Sequence, residues 1–205
     1  MEDMEILTRL IVVEGSHGSG KTTFAKALVR TLNKAGLRTR YTKEPYSPIL
    51  RNAIDELASK HGRDPLALAY LIAVDRQLHL RNIRRWLRIK ETVVSDRYMD
   101  SSLVYQRIDG LSKNVINRIN FFVPRPKVTI YLSAPYQVRV SRLRKTGRFR
   151  SSHVFLSPLA LKKEQRLYRQ IQSRNRGKHN TLELDGTGSI KENVATAREF
   201  VMRHR

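Results

Sequence analysis

The chain has 205 residues, no cysteine, and a formal net charge of +22 from 40 basic and 18 acidic residues. This length suits one domain with a full core, and without cysteine there is no disulfide framework, cysteine zinc site or thiol nucleophile. The acidic start of the chain argues against a signal or transit peptide, and the longest apolar run, Leu66–Val74, is about half of what spans a bilayer, so we expect a cytoplasmic protein.

The first predicted strand, Leu10–Glu14, leads into a glycine-rich loop and then into a helix predicted over Lys21–Lys34. Residues 15–22 fit the pattern G-x-x-x-x-G-K-[ST], a loop whose backbone N–H groups bind phosphate at a helix N-terminus. We therefore predict nucleotide triphosphate binding, with Lys21 on the β- and γ-phosphates and the Thr22 hydroxyl on Mg²⁺. The loop residues predicted to bind the nucleotide are Gly15, Ser16, His17, Gly18, Ser19, Gly20, Lys21, Thr22 and Thr23.

The middle of the chain continues to alternate between strands and helices. Asp64 is a predicted N-cap with Pro65 at the first helical position. The helix after it begins apolar and turns basic, so we expect its first half to be buried and its second half to lie on the surface. The predicted elements are a strand over Arg38–Lys43, a helix from Pro48 that breaks at Gly62, a helix from Pro65 to about Lys90, and a strand over Thr92–Ser95.

A cluster of polar residues follows the third predicted strand and begins with Asp96-Arg97. In parallel sheets, ligands bind beyond the carboxyl ends of the strands. At this position the Asp96 carboxylate can bind Mg²⁺ or its waters, and the Arg97 guanidinium can bind an anionic group with two hydrogen bonds. The alternative for Arg97 is an interior salt bridge to Asp96 or Asp100.

The last part of the chain completes the pattern, and residues 146–157 have no clear period and are predicted to form a loop. The whole predicts an α/β fold: a three-layer sandwich with a five-stranded parallel sheet flanked by helices, in one domain over residues 1–205. The remaining predicted helices are Ser101–Gln106, Lys113–Phe122, Tyr136–Lys145, Ser157–Asn175 and Ile190–His204, and the remaining strands are Lys127–Leu132 and Thr181–Leu184.

The positive charge is concentrated late in the chain. Between Pro135 and Lys178, thirteen basic residues accompany a single acidic one, Glu164. Such a patch attracts nucleic acid, an anionic membrane surface or a polyanionic substrate. Because aromatic residues do not alternate with these charges as a stacking platform requires, we expect nucleic acid only as a non-specific charge partner.

The sequence resembles the thymidylate kinase family of P-loop nucleoside monophosphate kinases over essentially its whole length. The resemblance implies ATP-dependent phosphoryl transfer to dTMP, giving dTDP and ADP, with Mg²⁺ as cofactor and a homodimer as the assembly. It rests on residues 13–23, Lys43-Glu44-Pro45, Asp75-Arg76, residues 96–106 and Leu184-Asp185-Gly186-Thr187. The implied substrate-binding residues are Lys43, Glu44, Ile72, Arg76, Arg97, Ser101, Ser102, Tyr105 and Gln106.

In the same family, the basic stretch near residues 142–157 corresponds to a lid. The resemblance implies that the lid supplies the catalytic arginines, because Gly18 stands where another branch of the family has an arginine. We predict Arg148 and Arg150 for this role, and Arg142 as a contact to the nucleotide. The alternative for each lid arginine is a surface charge in a basic stretch.

Two residues depart from the family pattern. His17 stands where the family has a carboxylate that binds the 3′-hydroxyl of the acceptor, and Ile72 where a phenylalanine usually stacks on thymine. Tyr70 and Tyr105 are candidates to replace that stacking. For Arg76, the alternative to binding the substrate is a charge on the helix surface that is solvated. Two other functions stay open: another nucleotide or deoxynucleoside kinase of this fold, and a nucleic-acid-binding P-loop ATPase.

Overall fold

The computed structural model describes residues 7–59, 64–147, 157–177 and 180–204, and it confirms the predicted α/β sandwich. The predicted strands and helices are present with bounds that differ by three residues or fewer. The five strands are β1 (Leu10–Glu14), β2 (Thr39–Lys43), β3 (Thr92–Asp96), β4 (Val128–Ser133) and β5 (Thr181–Asp185). The helices of the described residues are α1 (Lys21–Lys34), α2 (Pro48–Ser59), α3 (Pro65–Arg88), α4 (Met99–Ile108), α5 (Lys113–Ile119), α6 (Tyr136–Lys145), α7 (Pro158–Asn175) and α8 (Ile190–Arg203), and a 3₁₀ turn, Leu7–Arg9, precedes β1.

All strand pairs in the sheet are parallel, and the order is β2-β3-β1-β4-β5. The central strand β1 is buried over its whole length, as its apolar, β-branched sequence requires for a strand covered on both faces. In the register of the sheet, Val13 of β1 lies beside Asp96 of β3. The loop after β1 and the end of β3 therefore open at the same edge.

The hydrophobic core has a layer on each face of the sheet. Ile11 and Val13 of β1 pack with α1 and α8 on one face, and Leu10 and Val12 pack with α3 on the other. On the α3 side, Tyr131 of β4 packs with α4 and α7. Alternate strand residues thus point to opposite helical layers, which is the three-layer arrangement predicted from the sequence.

Helix α3 begins as predicted but buries a different surface. The Asp64 carboxylate accepts hydrogen bonds from the N–H groups of Leu66 and Ala67, and Pro65 follows it. The expected burial of the first half of α3 is wrong, because only the side facing the protein is covered. Four apolar residues spaced four apart form an exposed stripe, the α3 stripe, with exposed fractions in parentheses: Leu66 (40%), Tyr70 (55%), Val74 (51%) and Leu78 (38%).

The second half of α3 is also amphipathic rather than wholly at the surface. Leu80, Ile83 and Leu87 are buried against the sheet, while Arg81, Arg85 and the neighbouring basic residues stay outside. Within the described ranges, none of the helices combines the length and apolarity that crossing a bilayer requires.

Candidate active site

The loop between β1 and α1 lies against the start of α6. Gly18 has a φ of +75°, and a Cβ added there would lie 2.8 Å from the carbonyl oxygen of Arg139. A side chain at this position would be strained and would collide with backbone. The structure therefore leaves no room for an arginine at residue 18.

A cavity of about 660 Å³, the first cavity, opens above this loop. Arg142 forms part of its wall: its guanidinium donates to the Gly186 carbonyl at 3.0 Å and reaches the Ser19 carbonyl at 3.4 Å. It thus connects the loop to the turn after β5. The predicted nucleotide-binding residues that line this cavity are His17, Gly18, Gly20, Lys21, Thr22, Thr23 and Arg142. The other three, Gly15, Ser16 and Ser19, complete the loop beneath it.

Lys21 is buried at the base of the first cavity. Its Nζ atom donates to the Ser16 carbonyl at 2.6 Å. Burial, together with the positive charge of Arg97, lowers the pKa of Lys21 to about 7. The phosphates of a nucleotide carry the negative charge that stabilises the protonated form of such a lysine.

Thr22 and Asp96 meet next to the loop, as the sequence predicted. The Thr22 hydroxyl donates to Asp96 Oδ2 at 2.6 Å, and the Tyr41 hydroxyl does so at 3.3 Å. Among the described residues, the buried Asp96 Oδ1 has no hydrogen-bond partner. A carboxylate and a hydroxyl beside a phosphate site are ligands that Mg²⁺ accepts, so these residues fit the metal. The described ranges contain no group of three or more His, Cys, Asp and Glu residues that could hold an ion.

Arg97 has a left-handed backbone, with a φ of 81°. Its N–H donates to the Val13 carbonyl at 3.0 Å, and its own carbonyl accepts from Ser95 at 2.8 Å. Its guanidinium donates to the hydroxyls of Ser101 and Tyr105. Strained backbone of this kind persists only where the surroundings hold it.

A second cavity, of about 190 Å³, adjoins the first. His17 and Arg97 line both cavities, so the two meet at these residues. Lys43 is exposed and lines neither of them. The predicted substrate-binding residues along the second cavity are Glu44, Ile72, Arg76, Arg97, Ser101, Ser102, Tyr105 and Gln106.

Arg76 is a buried part of the second cavity's wall, and its alternative as a solvated charge is wrong. Its side chain is 1% exposed and makes paired hydrogen bonds to Glu44, the closest at 2.7 Å. Although burial alone raises the pKa of Glu44, the Arg76 charge holds it below its usual value. Further hydrogen bonds run to Asn120, Ser102 and the Tyr98 carbonyl, so the guanidinium has few donors left for a ligand.

Unlike the Arg76 side chain, the Gln106 side chain is buried without hydrogen-bond partners among the described residues. Gln106 is 2% exposed, and its amide group makes no hydrogen bond to any of them. The residue lines the second cavity, and a buried amide without a partner there points to a ligand that pairs with it. Tyr105 also lines this cavity, whereas Tyr70 belongs to the α3 stripe and does not. Of the two aromatic candidates, only Tyr105 is in place to contact a ligand there.

Two buried carboxylates at the site were missed by the sequence analysis. Glu14 accepts hydrogen bonds from Tyr98 N–H at 2.8 Å and from the Ser101 hydroxyl at 2.7 Å, which anchors the start of α4 to β1. Burial and the nearby Asp100 raise the pKa of Glu14 to about 7. In the sequence, Glu14 stands at the end of a buried strand, within the stretch of residues 13–23 that carries the resemblance, but neither feature assigns it a role.

The second of these carboxylates, Glu164, lies behind His17 and is 1% exposed. It accepts hydrogen bonds from the Nδ1 atom of His17 at 2.8 Å and from Arg139 at 2.6 Å. In the sequence it is an isolated acid in a basic stretch.

The predicted lid arginines Arg148 and Arg150 lie outside the described residues.

The strand order, the phosphate loop after β1 and the two joined cavities define a P-loop kinase of the nucleoside monophosphate kinase type. The family model described as thymidylate kinase matches residues 13–196. The chain therefore belongs to the thymidylate kinase family.

Several relatives are similar to most of the chain, and each is named a probable thymidylate kinase. The protein from Methanococcus vannielii is 36% identical over 165 residues, which are 80% of this chain and 78% of that protein. The protein from Sulfurisphaera tokodaii is 31% identical over 187 residues, which are 91% of this chain and 92% of that protein. The one from Pyrococcus abyssi is 37% identical over 144 residues, 67% of this chain and 70% of its own.

Proposed function

We propose that the protein transfers the γ-phosphoryl group of ATP to the phosphate of dTMP, giving dTDP and ADP. The first cavity is then the donor cavity, which holds ATP, and the second is the acceptor cavity. The observation that carries the proposal is that these cavities meet at Arg97, whose guanidinium lies where an acceptor phosphate must approach the donor. Membership of the thymidylate kinase family supports the same assignment.

The residues around this junction supply charge and orientation. Lys21 binds the phosphates of ATP, and Arg97 orients the acceptor phosphate by hydrogen bonds that match its geometry. Thr22 and Asp96 would hold Mg²⁺, which when bound neutralises charge on the donor phosphates. A phosphate monoester, with a second pKa of about 6, already has a nucleophilic oxygen at neutral pH. The transfer therefore needs no general base.

The lining of the acceptor cavity favours a base with an amide edge and a methyl group. The free amide of Gln106 can pair with a base edge that offers one N–H beside a carbonyl, as thymine does. Ile54, Leu68 and Ile72 provide apolar contact for the 5-methyl group.

Four further parts of the proposal concern the whole protein. The protein forms one domain over residues 1–205 with a lid over about 142–157, in which Arg148 and Arg150 contact the transferred phosphoryl group.

The assembly is a homodimer. It fits the α3 stripe, because four exposed apolar residues in a row along one helix are typical of a covered surface. ATP and dTMP are cytoplasmic metabolites, and we place the protein in the cytoplasm.

Transfer of the γ-³²P label from ATP to dTMP tests this function. We expect labelled dTDP with wild-type protein, and at least a hundredfold lower turnover in Lys21→Ala, the scale of losing one transition-state charge contact. The circular dichroism spectrum of this variant should match that of wild type. If no labelled dTDP forms, or if Lys21→Ala turns over within a few-fold of wild type, the proposal is contradicted.

A further inference from the structure

A carboxylate from a distant part of the chain controls the ring of His17. Glu164 Oε1 lies 2.8 Å from the backbone nitrogen of His17 and 2.8 Å from its Nδ1 atom. The same oxygen accepts a hydrogen bond from the Tyr105 hydroxyl at 2.7 Å, and the other oxygen, Oε2, accepts one from Arg139 at 2.6 Å. Four donors thus surround one buried carboxylate.

These contacts determine which nitrogen of His17 carries the proton. Burial alone would raise the pKa of Glu164, but the His17 hydrogen bonds and the Arg139 charge lower it to about 2, so the group is a carboxylate and only accepts. Nδ1 must therefore be the N–H donor. Burial lowers the pKa of His17 to about 4, so at neutral pH the ring is uncharged and Nε2 keeps a lone pair.

The ring is placed where a ligand can use that lone pair. The side chain of His17 is 21% exposed and lines both cavities at their junction. Nε2 makes no hydrogen bond to any described residue. The edge of the ring also packs on Tyr105, with ring centroids 4.7 Å apart, which limits its rotation.

We infer that Glu164 is a positioning residue that holds Nε2 of His17 as a hydrogen-bond acceptor for the sugar 3′-hydroxyl of the acceptor nucleotide. The inference rests on the proposed function, which places the acceptor phosphate at Arg97. In a 2′-deoxynucleoside 5′-monophosphate the 3′-hydroxyl is the only sugar hydroxyl, and it lies close to the 5′-phosphate. A group at the junction of the cavities is therefore in place to hydrogen-bond the sugar rather than the base.

This arrangement also keeps negative charge away from the phosphates. A carboxylate in direct contact with the sugar would stand beside the donor and acceptor phosphates and repel them. An imidazole accepts the same hydrogen bond without a charge. The charged carboxylate of Glu164 lies behind the imidazole ring, and it forms an ion pair with Arg139, with 2.6 Å between Oε2 and Nη2.

The experiment compares the kcat/KM for dTMP with that for 3′-deoxy-dTMP, which lacks the hydroxyl. We expect wild-type protein to prefer dTMP about tenfold, the scale of one well-made hydrogen bond. The preference should fall below about twofold in His17→Ala, which lacks the ring, and in Glu164→Ala, which no longer orients it. Glu183→Ala, which removes a carboxylate from the exposed pair with Arg176, is the matched control and should keep the preference.

A spectroscopic readout tests the position of the proton without any variant of Glu164. In ¹⁵N-histidine-labelled wild-type protein, the His17 signals, identified by their loss in His17→Ala, should show a protonated Nδ1 and an unprotonated Nε2. A protonated Nε2, a wild-type preference near one, or an unchanged preference in folded Glu164→Ala would each overturn the inference. If Glu164→Ala does not fold, the wild-type tautomer and the wild-type and His17→Ala preferences decide it. Failure to phosphorylate dTMP at all would instead refute the proposed function, and the tautomer would still test the role of Glu164.

Discussion

At the scale of single residues, Arg97 joins a strained backbone to a side chain at the junction of both cavities. Its left-handed φ is held by hydrogen bonds to β1 and β3, and its guanidinium by two hydroxyls of α4. A non-glycine residue costs about 1–2 kcal/mol in this conformation. In this conformation the residue follows the end of β3 at Asp96 and lines both cavities.

Replacing Arg97 by glycine and by alanine separates the strain from the function. Both variants lose the guanidinium, so both should raise the KM for dTMP and lower kcat, with little change in the KM for ATP. Arg97→Gly should have the higher free energy of unfolding, by about 1 kcal/mol, because glycine adopts the left-handed conformation without strain. Urea unfolding and steady-state kinetics measure these effects. Equal stability of the two variants would contradict the strain, and an effect confined to ATP would assign Arg97 to the donor cavity.

The low pKa of His17 predicts a pH dependence of stability. The folded state takes up a proton on His17 only near pH 4, whereas the unfolded chain does so near 6.5. Between these values the unfolded state binds more protons, so the free energy of unfolding falls as the pH drops from 6.5 to 4. His17→Ala lacks this contribution. Urea unfolding at pH 7.5, 5.5 and 4.5 should show the wild type losing more stability on acidification than the variant, and a constant difference would refute the shift.

The residues that the sequence could predict are those close to a recognisable pattern. Thr22 and Asp96 lie 74 positions apart, but the pattern of the loop and the end of a parallel strand bring both to one edge of the sheet. Glu164 follows no such pattern, since it reaches His17 across 147 positions through the packing of α7. An isolated acid in a basic stretch carries no sequence signal for burial.

At the scale of secondary structure, α3 shows which features of an element are local. The N-cap at Asp64 was predictable because capping depends on residues within one turn. The buried side of α3 was not, because its first turns are apolar all round and only tertiary packing decides which side meets the protein. In the second half, the many arginines indicate a surface helix, although Leu80, Ile83 and Leu87 are buried.

The cap of α3 is testable by itself. Asp64→Ala removes the acceptor for the N–H groups of Leu66 and Ala67 and should lower the free energy of unfolding by about 1 kcal/mol. Asp64→Asn keeps an oxygen at the same position and should lose only a small part of this. The difference is measured by urea unfolding. Equal losses in the two variants would show that the cap contributes little.

At the scale of the whole molecule, the α3 stripe predicts self-association. Wild-type protein should have a mass in solution of twice the 23.8 kDa of one chain. Val74→Glu places a charge in the centre of the stripe and should shift the protein toward the monomer, since burying an unpaired charge is costly. Met202→Glu, which changes an exposed apolar residue of α8 in the same way, is the control and should remain dimeric. Light scattering after gel filtration measures both, and a monomeric wild type would contradict the dimer.

The most direct test of the proposed function is the acceptor preference of the purified protein with Mg·ATP. The kcat/KM for dTMP should exceed that for dUMP about tenfold, because one methyl group in an apolar pocket is worth about that much, and dGMP and thymidine should react more slowly still. Phosphorylation of thymidine or of another nucleoside monophosphate in preference to dTMP would contradict the assignment. ATP hydrolysis that depends on DNA, without any phosphorylation of dTMP, would contradict it as well.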